Sequence, residues 1–133
     1  MNVVLDTNIL VSAAWSPGKT ASDILVAAFS GRFKIYYDLR IIEEYIRVMH
    51  YPKFEFEDWE IDAVLEPIQK YGTVIAAKPI PNVVFADESD RKFYEVAKTA
   101  NAILVTGNLK HYPQDSIIMS TSDFHALLNQ RIH

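Results

Sequence analysis

Carboxylates stand at three separated places in this chain: Asp6 in Leu5-Asp6-Thr7-Asn8, Glu43 and Glu44 in Ile41-Ile42-Glu43-Glu44-Tyr45, and Asp87 with Asp90 in Asp87-Glu88-Ser89-Asp90. Two bare carboxylates about 4 Å apart repel by roughly 4 kcal/mol at an effective dielectric near about 20. If these acids meet, the cluster needs protonation or a cation, and no clustered Lys or Arg from the same motifs is expected to serve. Oxygen-only donors suit a hard divalent ion, Mg2+ or Mn2+, which takes one or two carboxylates and keeps waters and phosphate oxygens. Such an ion lowers the pKa of its bound water. No side-chain nucleophile is then required.

Each acid also has a plainer use. Asp6, with Thr7 and Asn8 behind it, suits the cap of a helix or a turn. Asp87 suits the positive end of the helix that follows it. Glu43 and Glu44 both lie on the polar half of their helix, where Arg40 or Arg47 stands at ion-pair spacing. The helical wheel does not choose between those two glutamates. Asp90 is harder to explain away: it falls in the arc shared by Phe93, Tyr94, Ala97 and Ala100. A carboxylate facing inward is costly unless it is paired or holds a metal. Thr106 and Asn108, in Val105-Thr106-Gly107-Asn108, add polar groups after a second apolar run, although Gly-Asn is also a common turn pair.

Other chemistries find little support. The chain has no cysteine, which removes disulfides, thiolate zinc sites and a cysteine nucleophile. His50, His111, His125 and His133 show no metal-ligand spacing, and no glycine-rich phosphate loop or nucleophile elbow is present. A phosphatase with Asp6 as covalent nucleophile is disfavoured by Asn8, which stands where one phosphatase class has a second Asp.

These residues need a scaffold that brings strand ends together. Short apolar runs alternate with helical periodicity, which predicts βαβ units and a parallel sheet. Strands are expected over residues 3–5, 34–37, 73–76, 103–105 and 117–119. A helix carries Ile24, Leu25, Ala28 and Phe29, opened by a capping box of Thr20 and Asp23 and ended by Gly31. Further helices are expected over 39–50, stopped by Pro52, over 58–71, with Pro67 awkward in its last turns, and over 89–101. A last helix with Phe124, Leu127 and Leu128 follows a second capping pattern, Ser120 with Asp123. Open sheets of this kind bind ligands at the carboxyl ends of their strands.

The bulk properties agree with an ordinary globular chain: 133 residues, half of them hydrophobic, expected to fold as one domain over 1–133. A net charge of -4 argues against a protein that coats nucleic acid, though not against an enzyme that holds a few nucleotides. Residues 55–66 hold six acids and no base, whereas Arg32, Lys34, Arg40, Arg47, His50 and Lys53 lie just upstream. That asymmetry fits either two solvated faces or a basic side that meets substrate. The apolar start, Met1 to Leu5, has no basic leader and is not expected to be a signal peptide; with no run of about 18 apolar residues, a soluble cytoplasmic protein without a membrane span is expected.

Four stretches, taken in order, resemble the PIN-domain nucleases, especially the VapC-like toxins of bacterial and archaeal toxin–antitoxin pairs. They are Val3-Val4-Leu5-Asp6-Thr7-Asn8; Ile41-Ile42-Glu43-Glu44-Tyr45 with Tyr51-Pro52-Lys53-Phe54; Asp87-Glu88-Ser89-Asp90 leading to Phe93 and Ala97; and Val105-Thr106-Gly107-Asn108 with His111-Tyr112-Pro113. The match runs from residue 1 to about 128. In the second motif the family's acid precedes a Leu or Tyr, which selects Glu44. The resemblance implies a three-layer α/β/α fold with a central, mainly parallel sheet and an acidic pocket for Mg2+ or Mn2+. It implies endoribonuclease activity on RNA, with Asp6, Glu44 and Asp90 as catalytic acids and metal ligands and Asp87 as an accessory ligand. Thr7, Asn8, Thr106 and Asn108 would support the metal, its waters or the substrate, and Arg40 and Lys110 would hold the phosphate chain. Many relatives have Asp where this chain has Asn108, a departure that bears on two-metal occupancy. A protein antitoxin covering the pocket and a homodimer would be its partners. The alternative within the same fold is a catalytically weak RNA- or protein-binding PIN module.

Overall fold

The computed structural model of the chain describes residues 1–130, so His133 lies outside the described residues. Five strands, β1 (Asn2–Leu5), β2 (Lys34–Tyr37), β3 (Thr73–Val74), β4 (Ile103–Thr106) and β5 (Ile118–Ser120), form one sheet in the order β3-β2-β1-β4-β5. Every pairing is parallel, so the expected α/β class holds, with a sheet entirely rather than mainly parallel. The described residues also form α1 (Thr7–Trp15), α2 (Thr20–Phe29), α3 (Leu39–Met49), α4 (Asp58–Tyr71), α5 (Arg91–Thr99) and α6 (Thr121–Gln130). Val3, Val4, Leu5, Leu104 and Val105 are fully buried, as central parallel strands covered on both faces require. No helix among the described residues is long and apolar enough to cross a membrane.

The chain leaves β1 for β2 and β3 on one side, then returns across it to β4 and β5 on the other. The strand order therefore reverses between β1 and β4, and the carboxyl ends of that pair are where open sheets of this kind bind ligands. Asp6 and Thr106 mark those two ends. The Asp6 backbone N–H donates to the Val105 carbonyl at 3.0 Å and fixes the height of the carboxylate above the sheet.

Several elements depart from expectation for identifiable reasons. α1 was not foreseen: Ile9, Leu10, Val11 and Ala13 are all buried, and a helix that is apolar on most sides loses its periodic signature. Thr20 opens α2 as its first residue rather than capping it; Lys19 holds the cap position without a side-chain bond, and Asp23 meets His125 Nε2 at 3.2 Å. The capping box lies instead on α4, between Glu57 and Glu60, within the acidic run. At α6 the expected pattern is found, with Ser120 Oγ accepting from the Asp123 N–H at 3.0 Å.

Pro67 sits inside α4 without ending it. The carbonyl it leaves without a partner belongs to Ala63, an exposed residue that water can reach. Gly72 follows because a Cβ there would collide with the Ile68 carbonyl and the Tyr37 ring. β3 ends at Val74, two residues early, and the Ile75 N–H makes one more bond to the Tyr37 carbonyl at 2.9 Å. The chain then crosses α5, where the Lys78 N–H donates to Thr99 Oγ1 and the Ile80 N–H to Glu95 Oε2. The expected helix over 89–101 divides into a 3-10 turn, Glu88–Asp90, and α5, and Asn101 ends it with a left-handed φ of 50°.

Candidate active site

The site is built around the carboxyl ends of β1 and β4. Asp6 takes the cap position of α1 but makes no capping bond there. Its Oδ2 instead accepts from Thr106 Oγ1 at 2.8 Å and from the Tyr112 hydroxyl at 3.1 Å, so the side chain points across the sheet. Thr106 is completely buried, and its Oγ1 also accepts from the Asn108 N–H at 3.0 Å. Burial raises the pKa of Asp6 above the ordinary carboxylate range; the two hydroxyl donors oppose that rise and the Glu44 charge adds to it.

The ambiguity on α3 is resolved by geometry. Glu43 is exposed, whereas Glu44 turns toward β1 and accepts from Thr7 Oγ1 through its Oε2. Next to it the Tyr45 hydroxyl donates to the Leu5 carbonyl, which seats α3 over the end of β1. Glu44 Oε1 is not bare: Lys92 Nζ lies 2.7 Å away and Arg47 Nη2 lies 3.9 Å away. The expectation that no lysine or arginine would neutralise the acids is therefore corrected at Glu44. Lys92 comes two residues after Asp90, beyond the Asp87-Glu88-Ser89-Asp90 motif, and α5 brings it against Glu44 of α3.

Asp90 behaves as its place on the wheel suggested. Its Oδ2 is buried and has no hydrogen-bond partner among the described residues; His111 Nδ1, at 3.6 Å, is too far to provide one. Burial pushes the Asp90 pKa up to about 6, assisted by the negative charges of Asp6, Asp87 and Glu44 and opposed by His111. Asp6, Asp90 and Glu44 likewise all raise the pKa of the Tyr112 phenol, after burial. Tyr112 was quoted within the fourth motif without a role, and its buried hydroxyl is one of the two that donate to Asp6.

The remaining candidates stand further out. Asp87 is exposed and caps the 3-10 turn, accepting from the Ser89 N–H at 2.9 Å and Ser89 Oγ at 2.7 Å, bonds that hold its pKa below the usual range. Asn8, Asn108 and Lys110 are exposed. Arg40 is committed to two buried acids: Nε and Nη2 reach Asp38 Oδ2 at 2.8 and 2.7 Å, and Nη1 reaches Glu95 Oε1 at 2.9 Å. The burial of Glu95 was not visible in the sequence, because the 75–86 segment covers the polar side of α5.

The sequence pattern that defines the PIN domain matches residues 2–110, which includes Asp6, Glu44, Asp90, Thr106 and Asn108. The chain belongs to the PIN domain family. PIN domains are generally nucleases that use divalent metals. The chain is also similar to an uncharacterized protein of Methanocaldococcus jannaschii, 29% identical over 110 residues that cover 81% of this chain and 71% of the relative.

In this PIN domain no three acidic or histidine side chains among the described residues stand close enough to hold an ion by themselves. A hard ion that takes one or two carboxylates and retains its waters asks for less. The donor set suits one: Asp90 offers a buried carboxylate oxygen without a partner among the described residues, and both hydroxyls that donate to Asp6 fall on its Oδ2. Both groups have pKa values raised by burial and by the Glu44 charge, and the Asp6 charge raises that of Asp90 further, all of which a cation would relieve.

Proposed function

We propose that this PIN domain is a Mg2+- or Mn2+-dependent endoribonuclease that hydrolyses RNA phosphodiester bonds, and that it is the toxin of a type II toxin–antitoxin pair in the cytoplasm. The observation that carries the reading is the buried, partnerless Asp90 Oδ2 facing the charges of Asp6 and Glu44. Asp6, Glu44 and Asp90 are the catalytic acids and Asp87 the accessory ligand, with Thr7, Asn8, Thr106 and Asn108 as supporting groups. A divalent ion bound there supplies an activated water and neutralises charge at phosphorus.

The chain's own residues do the positioning. Thr106 and Tyr112 fix one oxygen of Asp6 and so set the direction of the other. Thr7 holds Glu44 against the end of β1. Asp90 enters from a turn whose shape Asp87 sets through Ser89. A protein antitoxin would cover this pocket, and a homodimer would use the apolar helices. The test is cleavage of RNA by the purified protein with Mn2+: Asp6→Asn and Asp90→Asn should lose activity while keeping the fold. Equal cutting by both variants would reject the assignment.

Lys92 on Glu44 and the exposed Asn108 favour a second reading, a catalytically weak RNA- or protein-binding module. Metal titration separates the two. A melting temperature that stays fixed in millimolar Mn2+ would select the binding module.

A further inference from the structure

We propose that Lys92 and Arg47, the two cations that share Glu44, form a subsite for an RNA phosphate beside the acidic pocket, an inference that rests on the ribonuclease reading. A groove of about 400 Å3 runs between α3 and α5, lined by Arg40, Glu43, Arg47, Glu88, Arg91 and Lys92. Its charges are not equally available. Arg40 is spent on Asp38 and Glu95. Arg91 is spent on Glu88, at 2.7 Å, and on the Ile80 and Val83 carbonyls. Lys92 and Arg47 differ, because both lean on the one carboxylate of Glu44, so two cations share a single ion-pair partner there.

The placement of those two cations is what points to a phosphate. An ammonium has three donors. Glu44 Oε1 and the Ser89 carbonyl take two of those of Lys92 among the described residues, which leaves one. Arg47 is held only loosely, at 3.9 Å, and its side chain is 59% exposed, so its guanidinium can turn to a bidentate phosphate. Glu44 links the subsite to the acids, since its other oxygen is bonded to Thr7, the residue after Asp6. A strand whose scissile bond lies over Asp6 and Asp90 would meet bare carboxylates alone without these cations, and the rest of this chain is net negative. Glu43, exposed on the same groove, opposes the effect and so provides a test in the opposite direction.

The experiment measures binding of a fluorescent single-stranded RNA of mixed sequence in EDTA, across a salt series, in an Asp6→Asn background. K92M and R47M should each weaken binding about tenfold, and each should flatten the slope of log affinity against log salt by about 0.7. K92R should retain most of the affinity, and E43Q should tighten binding. Should K92M fail to fold, K92M/E44Q removes the ion pair as a unit, and measured against E44Q alone it should show the same loss of affinity and slope. If the background protein binds RNA while K92M and R47M leave both affinity and slope unchanged, the subsite is wrong and the ribonuclease reading stands. If the background protein binds no RNA at any salt, both fall.

Discussion

The Tyr112 hydroxyl lies 3.1 Å from Asp6 Oδ2, inside the protein and across 106 residues of chain. The bond joins the end of β1 to the segment between β4 and β5, and it holds the Asp6 pKa down against the opposite pull of burial. Tyr112→Phe keeps the ring, which packs edge-on against Phe85 at 6.1 Å, and removes only the donor. Hydrogen bonds to charged groups contribute about 1.5–3 kcal/mol. Thr106 still serves the same oxygen, so we expect a loss at the low end of that range in urea denaturation at pH 7. An unchanged midpoint would show that the bond does not constrain Asp6.

Asp90 makes a prediction of opposite sign. Its folded pKa of about 6 lies above the ordinary 3.8, so its contribution to stability is fully present below that ordinary value and is lost as pH rises through about 6. Asp90→Asn removes the charge and should therefore raise Tm by a few degrees at pH 8 in metal-free buffer. The gain should shrink through pH 6 and disappear below about pH 4. A difference independent of pH would mean that the carboxylate is not held in a penalised charged state.

Metal should narrow that ranking. A ligand that binds only the folded state raises stability by RT ln(1 + [L]/Kd), so Mn2+ at ten times its Kd adds about 1.4 kcal/mol. The parent protein should melt several degrees higher in millimolar Mn2+. Asp6→Asn and Asp90→Asn should respond little, although Asp90→Asn is the more stable protein without metal. Equal Mn2+ shifts in all three proteins would place the ion elsewhere.

Much of this was legible in the residues. β2 was bounded to the residue, because Lys34–Tyr37 lies between a helix-ending glycine turn and a capping aspartate. The inward position of Asp90 followed from its neighbours on the wheel, Phe93 and Ala97, both fully packed. What escaped were relationships that periodicity does not encode. Lys92 reaches Glu44 only because α5 lies against α3, and Glu95 is buried only because a loop covers it. Both depend on tertiary contacts between segments far apart in sequence, and neither leaves a mark on the local pattern.

Arg40 provides the remaining prediction, and it separates a structural role from the phosphate-holding one expected for it. Asp38 caps α3, with Oδ1 accepting from the Ile41 N–H at 2.9 Å, while Oδ2 meets Arg40. Glu95 Oε2 accepts from the Ile80 N–H at 2.8 Å, while Oε1 meets Arg40. One guanidinium thus ties the start of α3, the middle of α5 and the 75–86 segment together. Both acids are nearly fully buried, so Arg40→Met leaves two carboxylates facing each other without a counter-ion. Breaking a buried pair typically costs 3–5 kcal/mol. Because the Arg40 side chain is itself about half exposed, solvent screens part of that, and we expect about 2–4 kcal/mol by urea denaturation at pH 7. A variant that keeps its stability but loses affinity for RNA would instead make Arg40 a substrate contact, because a guanidinium needed for phosphate, and not for Asp38 and Glu95, can be removed without cost to the fold.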